Sequence, residues 1–115
     1  MDIDFKTKKL KKSFNEGRQL EAEHGAKRAK KLRIRMGELR AAASLMDFWP
    51  PKSPPERCHE ISEGKKGCEL SVDLDHPYRL IFTPDHDPLP CKEDGGLDWS
   101  LVTAIKILRV EDTHG

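Results

Sequence analysis

Long apolar runs are missing from this sequence. No stretch approaches the roughly 18 consecutive apolar residues that a membrane-spanning helix requires. The opening residues, Met1-Asp2-Ile3-Asp4-Phe5, are acidic where a secretory signal is basic and then apolar. Neither a membrane span nor a secretory signal is expected. Cysteine is scarce and odd in number: Cys58, Cys68 and Cys91 contain no C-x-x-C pair, a usage that points to a reducing cytoplasm. Familiar catalytic and nucleotide-binding signatures are absent too. The chain has no G-x-G-x-x-G, no Walker A loop, no G-x-S-x-G elbow and no H-E-x-x-H. It also lacks internal repeats and long low-complexity tracts.

What is present is a charged chain of one-domain size. Its 115 residues suffice for a single domain spanning 1–115 that buries about two-thirds of its unfolded surface. Hydrophobic and charged residues each make up 36%, a high charge load that still permits folding. The net charge of +1 hides a division. Residues 1–40 carry 13 Lys and Arg against 6 Asp and Glu, a balance of +7, whereas residues 41–115 carry 8 against 14, a balance of −6. Such asymmetry either marks one surface for a polyanion and another for a basic partner, or reflects a solvated helix face with spare lysines.

Hydrophobic spacing divides the chain the same way. Residues 6–43 read as helical. Leu10 and Phe14 stand four apart among Lys8, Lys9, Lys11 and Lys12; Gly17 is placed to break this segment and Gly25 to stop it before the next. Ala29, Leu32, Met36, Leu39 and Ala43 then recur at spacings of three or four as one apolar stripe, read as core packing. Lys27, Lys30, Lys31, Arg33, Arg35 and Arg40 fall mostly off it. Two helices with a short connection form a hairpin.

Pro50, Pro51, Pro54 and Pro55 make residues 47–56 a connector, because proline lacks the N–H and clashes with the preceding turn. The period then switches from 3.6 to 2. Residues 57–61 read as a short strand. Residues 69–74 alternate, with Leu70, Val72 and Leu74 on one face and Glu69, Ser71 and Asp73 on the other. Asp75-His76-Pro77 is a turn, and 78–83 return as a strand. Pairing Leu74 with Tyr78 sets Asp73 opposite Arg79. Residues 85–98 are a Pro-, Gly- and Asp-rich loop. Residues 102–112 form a last strand, apolar on both faces at Ala104-Ile105 and Ile107-Leu108, as in a sheet interior. Residues 3–5 are placed to add a fifth strand. The expected class is α+β, a helical hairpin packed on a small, mainly antiparallel sheet.

The chemistry-bearing residues on or beside those strands are His59, Arg79, Asp112 and His114, with Lys65 and Lys66 in the loop before the second strand. They suit RNA cleavage without a cofactor. There the ribose 2′-OH attacks its own phosphate while one group removes a proton, another protonates the leaving 5′-oxygen, and a cation steadies the phosphorane. Histidine suits either proton role, and the arginine fork matches phosphate oxygens in pairs. Each residue has a second reading: Arg79 as the neutraliser of Asp73, His59 as a packed strand histidine, Asp112 and His114 as chain-end residues. Metal ligation by Cys58, His59, Cys68 and His76 fits no zinc spacing.

The stretch Leu70-Ser71-Val72-Asp73-Leu74-Asp75-His76-Pro77-Tyr78-Arg79-Leu80-Ile81-Phe82 resembles the hairpin of the RelE/ParE superfamily. Cys58-His59-Glu60-Ile61, Gly64-Lys65-Lys66-Gly67, the opening Phe5-Lys6-Thr7-Lys8-Lys9-Leu10-Lys11-Lys12 and the closing Val110-Glu111-Asp112-Thr113-His114 resemble its HigB branch, the plasmid-maintenance killer proteins. The resemblance implies a RelE-like fold and a toxin of a bacterial type II toxin–antitoxin pair. Such a toxin cuts messenger RNA on the ribosome without a metal and is held in check by a HigA-like, helix-turn-helix antitoxin. Operator DNA would be met only through that complex. By position, Arg79 matches the phosphate-contacting arginine and His59 the branch's histidine. Asp112 and His114 match the first and last members of its Asp-Tyr-His ending. Lys8, Lys9, Lys12, Lys27, Lys30, Lys31, Arg35, Lys65 and Lys66 are expected to meet ribosomal RNA phosphates.

Two departures leave other readings open. Thr113 stands where the branch has tyrosine, and RelE's strand lysines fall near Ser71 and Asp73. A ParE-like gyrase inhibitor without nuclease activity, or a regulatory protein acting only with its antitoxin, are the alternatives.

Overall fold

The structure, a computed structural model, describes residues 1–61 and 68–113. In chain order it contains β1 (Asp2–Phe5), α1 (Lys8–Asn15), α2 (Gly17–Ala41), β2 (His59–Glu60), β3 (Leu70–Asp73), β4 (Tyr78–Pro84) and β5 (Ala104–Asp112). Single 3₁₀ turns occupy Leu45–Phe48 and Trp99–Leu101. The expected α+β class is what the chain adopts.

Local chemistry sets the helix ends. Thr7 caps α1, its hydroxyl accepting the Leu10 N–H at 3.0 Å. Glu16 has extended backbone and separates the two helices, and its N–H closes on the Lys12 carbonyl at 3.1 Å. Inside α2, Gly25 has φ 81° and ψ 159°, a backbone that residues with a Cβ rarely adopt. The chain reverses there. Arg33 Nη2 lies 3.4 Å from Glu21 Oε1, whereas an unbroken helix would hold these residues about 18 Å apart along its axis. The hairpin bend therefore falls at Gly25, where the sequence predicts a stop.

Beyond the bend, Ala29, Leu32, Met36 and Leu39 are buried as the stripe requires. Its last member differs: Ala42 is buried and Ala43 exposed, because α2 ends at Ala41 and the spacing no longer applies. The helix residues share one core with Leu70, Val72, Leu74, Leu80, Phe82, Ile105 and Ile107. Each such side chain contributes about 1.5–3 kcal/mol when fully buried.

The sheet order is β1-β5-β4-β3-β2, with β1 parallel to β5 and the other pairs antiparallel. β5 is an interior strand, matching its apolar character on both faces. Leu74 N–H bonds the Tyr78 carbonyl at 3.0 Å, and the register places Asp73 opposite Arg79 as the turn predicts. A bulge at Leu108 lets Ile81 pair with Arg109 and Phe82 with Ile107. β2 is shorter than expected. Arg57 has left-handed backbone, φ 49°, which no strand residue adopts, so pairing begins only at His59. The connector is pinned by Trp49, whose ring meets Trp99 edge-on at 5.2 Å. Among the described residues, no helix is long and apolar enough to cross a membrane.

One histidine couples this packing to pH. His24, just before the bend, is held below its ordinary 6.5 chiefly by burial; Arg28 lowers it further, while Glu23 and Asp75 act the other way. As pH falls below 6.5 the unfolded chain takes up the proton first, so stability present at neutral pH is lost on acidification. His24→Gln is expected to flatten the urea-unfolding profile between about pH 5 and 7. Most of the loss below 4.5 that comes from Glu23 should remain, because hydrogen bonds from Ser13 and Gln19 lower that carboxyl more than the His24 charge does.

Candidate functional site

Strand alternation gives the sheet two chemically distinct faces. Tyr78, Leu80 and Phe82 look toward the helices. The other face carries one cross-strand row of His59, Ser71, Ile81 and Arg109, and beside it a second of Asp73, Arg79 and Glu111. Side chains paired across such rows stand about 5 Å apart at Cβ. Residues distant in sequence thus meet on this outer face because of register.

The closest contacts lie around Arg79. Its Nη1 is 3.2 Å from His59 Nε2, and its Nε is 3.4 Å from Asp73 Oδ1. Arginine only donates, so His59 Nε2 must accept. His59 Nδ1 lies 2.8 Å from the Arg57 carbonyl and can only donate to it. The two bonds select the neutral tautomer with its proton on Nδ1 and aim the Nε2 lone pair at the guanidinium. Asp73 holds a second cation, Arg57, whose Nη1 stands 3.3 Å from Oδ2. The distance of 3.4 Å to Arg79 is an ion pair without hydrogen-bond geometry. Among the described residues, buried Asp73 Oδ1 has no hydrogen-bond partner, and neither has Ser71 Oγ in the neighbouring row. A buried polar atom left unpaired costs about 1–3 kcal/mol, and such atoms call for a functional or structural account.

The remaining outer-face cations are engaged. Arg109 forms a two-pronged pair with Glu69, at 3.3 and 2.8 Å, and reaches Glu111 at 3.5 Å. Lys106 lies 3.9 Å from Asp85. Among the described residues Arg57, Arg79, Lys106 and Arg109 are matched by Glu69, Asp73, Asp85 and Glu111, and Asp2 and Asp4 of β1 stand on the same side, so this face has no surplus of positive charge.

Of the residues expected to act together, His59 and Arg79 are brought into contact. Asp112 is not. It pairs with Tyr78 and so stands on the helix side of the sheet, opposite to Arg79. The residue after it, Thr113, ties the strand end to the hairpin turn, its N–H and hydroxyl both bonding the Pro77 carbonyl at 3.1 and 2.8 Å. His114, Lys65 and Lys66 lie outside the described residues.

The helical cations divide as well. Lys8, Lys9, Lys12, Lys27 and Lys30 are exposed and Lys31 is half-buried. Arg35 corrects the sequence reading. It is 5% exposed, and it donates to the Asp73 carbonyl at 2.7 Å, the Pro55 carbonyl at 3.3 Å and Glu38 at 2.7 Å. Committed to these groups, it joins α2 to β3 and the connector and has no free edge for RNA. The signal was in the spacing: position 35 follows Leu32 by three and precedes Leu39 by four, on the apolar stripe.

Arg57 is the residue that sequence reading passed over, taken only as the start of a strand. Its place two residues before His59 was the available cue. Cys58 and Cys68 offer no reactive thiolate here. Burial pushes Cys58 up to about 12, and burial with the Glu60 carboxylate pushes Cys68 up to about 11. Among the described residues no group of three His, Cys, Asp or Glu side chains is placed to hold a metal ion.

Searches of protein-family models, of curated proteins and of solved structures find no match for this chain. The chemistry is therefore argued from its own residues.

Arg35→Ala is expected to lower stability by about 3 kcal/mol, since it strands Glu38 and two carbonyls. Urea unfolding measures the loss.

Proposed function

We propose that this protein is a toxin of a type II toxin–antitoxin pair, similar to the HigB branch of the RelE/ParE superfamily, and that it cleaves messenger RNA on the ribosome. The observation that carries this reading is the contact of Arg79 with His59, 3.2 Å apart on the outer sheet face. It joins a phosphate-matching fork to an oriented imidazole, the pairing that 2′-OH attack needs.

The geometry supports a definite order of events. In the free protein Arg79 occupies the lone pair of His59 Nε2. A phosphodiester that draws the guanidinium onto its non-bridging oxygens releases that lone pair, while the Arg57 carbonyl keeps hold of Nδ1–H. His59 then removes the 2′-OH proton. The 2′-oxygen bonds to phosphorus, and the bond to the 5′-oxygen breaks, leaving a 2′,3′-cyclic phosphate and a 5′-hydroxyl. Arg79 steadies the added charge on the phosphorane. A second group must protonate the leaving 5′-oxygen, and His114, matched by the resemblance to the end of the HigB branch, is the residue proposed for it. This route requires no cofactor.

The lysines support the ribosomal setting. Lys8, Lys9, Lys12, Lys27 and Lys30 lie on the helical layer, away from the Arg79 face, so one side can hold ribosomal RNA while the other meets the messenger. A HigA-like antitoxin would neutralise the protein by covering either face, and operator DNA would be reached through that complex. Localisation in the bacterial cytoplasm follows from this role.

Two observations favour the non-cleaving, gyrase-inhibiting alternative. The outer face has no surplus of positive charge, and Asp112 stands on its far side. Translation of a defined messenger by purified ribosomes decides between the two. Wild-type protein should produce new 5′ ends in phase with codons, and Arg79→Ala should lower the rate by about a hundredfold or more. An intact messenger, together with blocked supercoiling by gyrase, would transfer the assignment to the alternative.

A further inference from the structure

Arg57 combines features that packing does not explain. Its backbone is left-handed at φ 49°, although it carries a full side chain. That conformation is held by its neighbours: Arg57 N–H bonds the Ser53 carbonyl at 2.8 Å, and Asp73 N–H bonds the Glu56 carbonyl at 2.8 Å. Strain of this kind is retained where surrounding structure imposes it, and it clusters at binding sites. Here it directs a guanidinium over the outer sheet face. That guanidinium and Arg79 reach opposite oxygens of one carboxylate, at 3.3 Å and 3.4 Å.

A carboxylate between two guanidinium groups is an anion already bound. Its two oxygens resemble the two non-bridging oxygens of a phosphodiester in charge and in bidentate fit. The fit is imperfect, because Asp73 Oδ1 accepts no hydrogen bond from either fork. Both arms remain movable: the Arg57 side chain is 43% exposed and that of Arg79 26%. Arg35, by contrast, is locked on the backbone carbonyl of Asp73 and fixes that strand position behind the carboxylate.

We infer that Arg57 is the second arm of a phosphodiester clamp on the outer sheet face. Asp73 fills the clamp in the free protein, and a phosphate of single-stranded RNA takes its place between Arg57 and Arg79. Asp73 thereby sets the affinity: it shields two cations until a better anion arrives, and it weakens binding to free RNA. The inference rests on the reading of Arg79 as the phosphate-binding group.

The test uses a 2′-O-methyl RNA hexamer, which cannot be cleaved, with anisotropy read over a salt series on the full chain. Arg57→Gln should weaken binding about tenfold and make the slope of log affinity against log salt shallower, because one of the two cations on the phosphate is lost. Arg57→Lys should keep the slope but recover only part of the affinity, having charge without the fork. Asp73→Asn should strengthen binding severalfold, a gain that misfolding cannot imitate. Equal binding by wild type and Arg57→Gln overturns the inference, and so does Asp73→Asn that binds no more tightly. Ribosomal cleavage without hexamer binding by wild type would overturn the clamp and leave the nuclease reading standing. Arg57-dependent hexamer binding without any cleavage would do the reverse.

Discussion

The pairing register of the β3–β4 hairpin carries the molecule. Sliding β3 by a single residue would turn Leu70 and Val72 out of the core and Asp73 into it, and sliding β4 would do the same to Leu80, Phe82 and Arg79. Burial of those apolar side chains therefore enforces the positions of the polar ones between them. The turn adds its own constraint through the Leu74–Tyr78 and Tyr78–Asp75 backbone bonds. From the helical side, Arg28 grips Asp75 with two bonds, at 3.1 and 3.3 Å, and covers the Tyr78 ring at 3.3 Å. Charge-assisted bonds and a cation–π contact thus clamp the turn from outside the sheet.

From this register follows a division of labour between two layers. The helical layer bears exposed lysines and takes up the surplus positive charge. The outer sheet face holds cations that are each matched by a carboxylate. Charge opposite charge keeps such a face soluble and ordered, and it makes the arginines conditional binders: a polyanion must compete with Asp73 before it is gripped. A site built this way discriminates against weak anions. It also accounts for the proposed dependence on the ribosome, which would present the messenger at high effective concentration and in a strained geometry.

Much of the fold could be read from pattern. The switch from a 3.6 to a 2.0 period, the proline connector, the stop at Gly25 and the facing of Asp73 and Arg79 all have local or near-local causes. The parallel pairing of β1 with β5, by contrast, joins the two ends of the chain and is not encoded locally. The apolar stripe was legible except at its end. The site was less so. That Arg79 meets His59 depends on β2 pairing with β3 across residues far apart in sequence, which periodicity does not encode. Arg57 was hidden because its role comes from a left-handed backbone that sequence does not announce in an arginine. Arg35 was misread as a surface cation because its charge was given more weight than its spacing. Asp112 was grouped with Arg79 by the resemblance, whereas the β4–β5 register sets them on opposite faces.

The central claim is that a phosphodiester draws Arg79 away from the His59 ring. Nitrogen NMR of the histidine rings and arginine side chains, during titration with uncleavable RNA, reads this contact directly. The free protein should show His59 as the Nδ1–H tautomer with Nε2 accepting from Arg79. Added RNA should shift Arg79 Nε and His59 Nε2 together while Nδ1 stays bonded. Shifts confined to the helical lysines, with the His59 and Arg79 signals unmoved at saturation, would contradict the account.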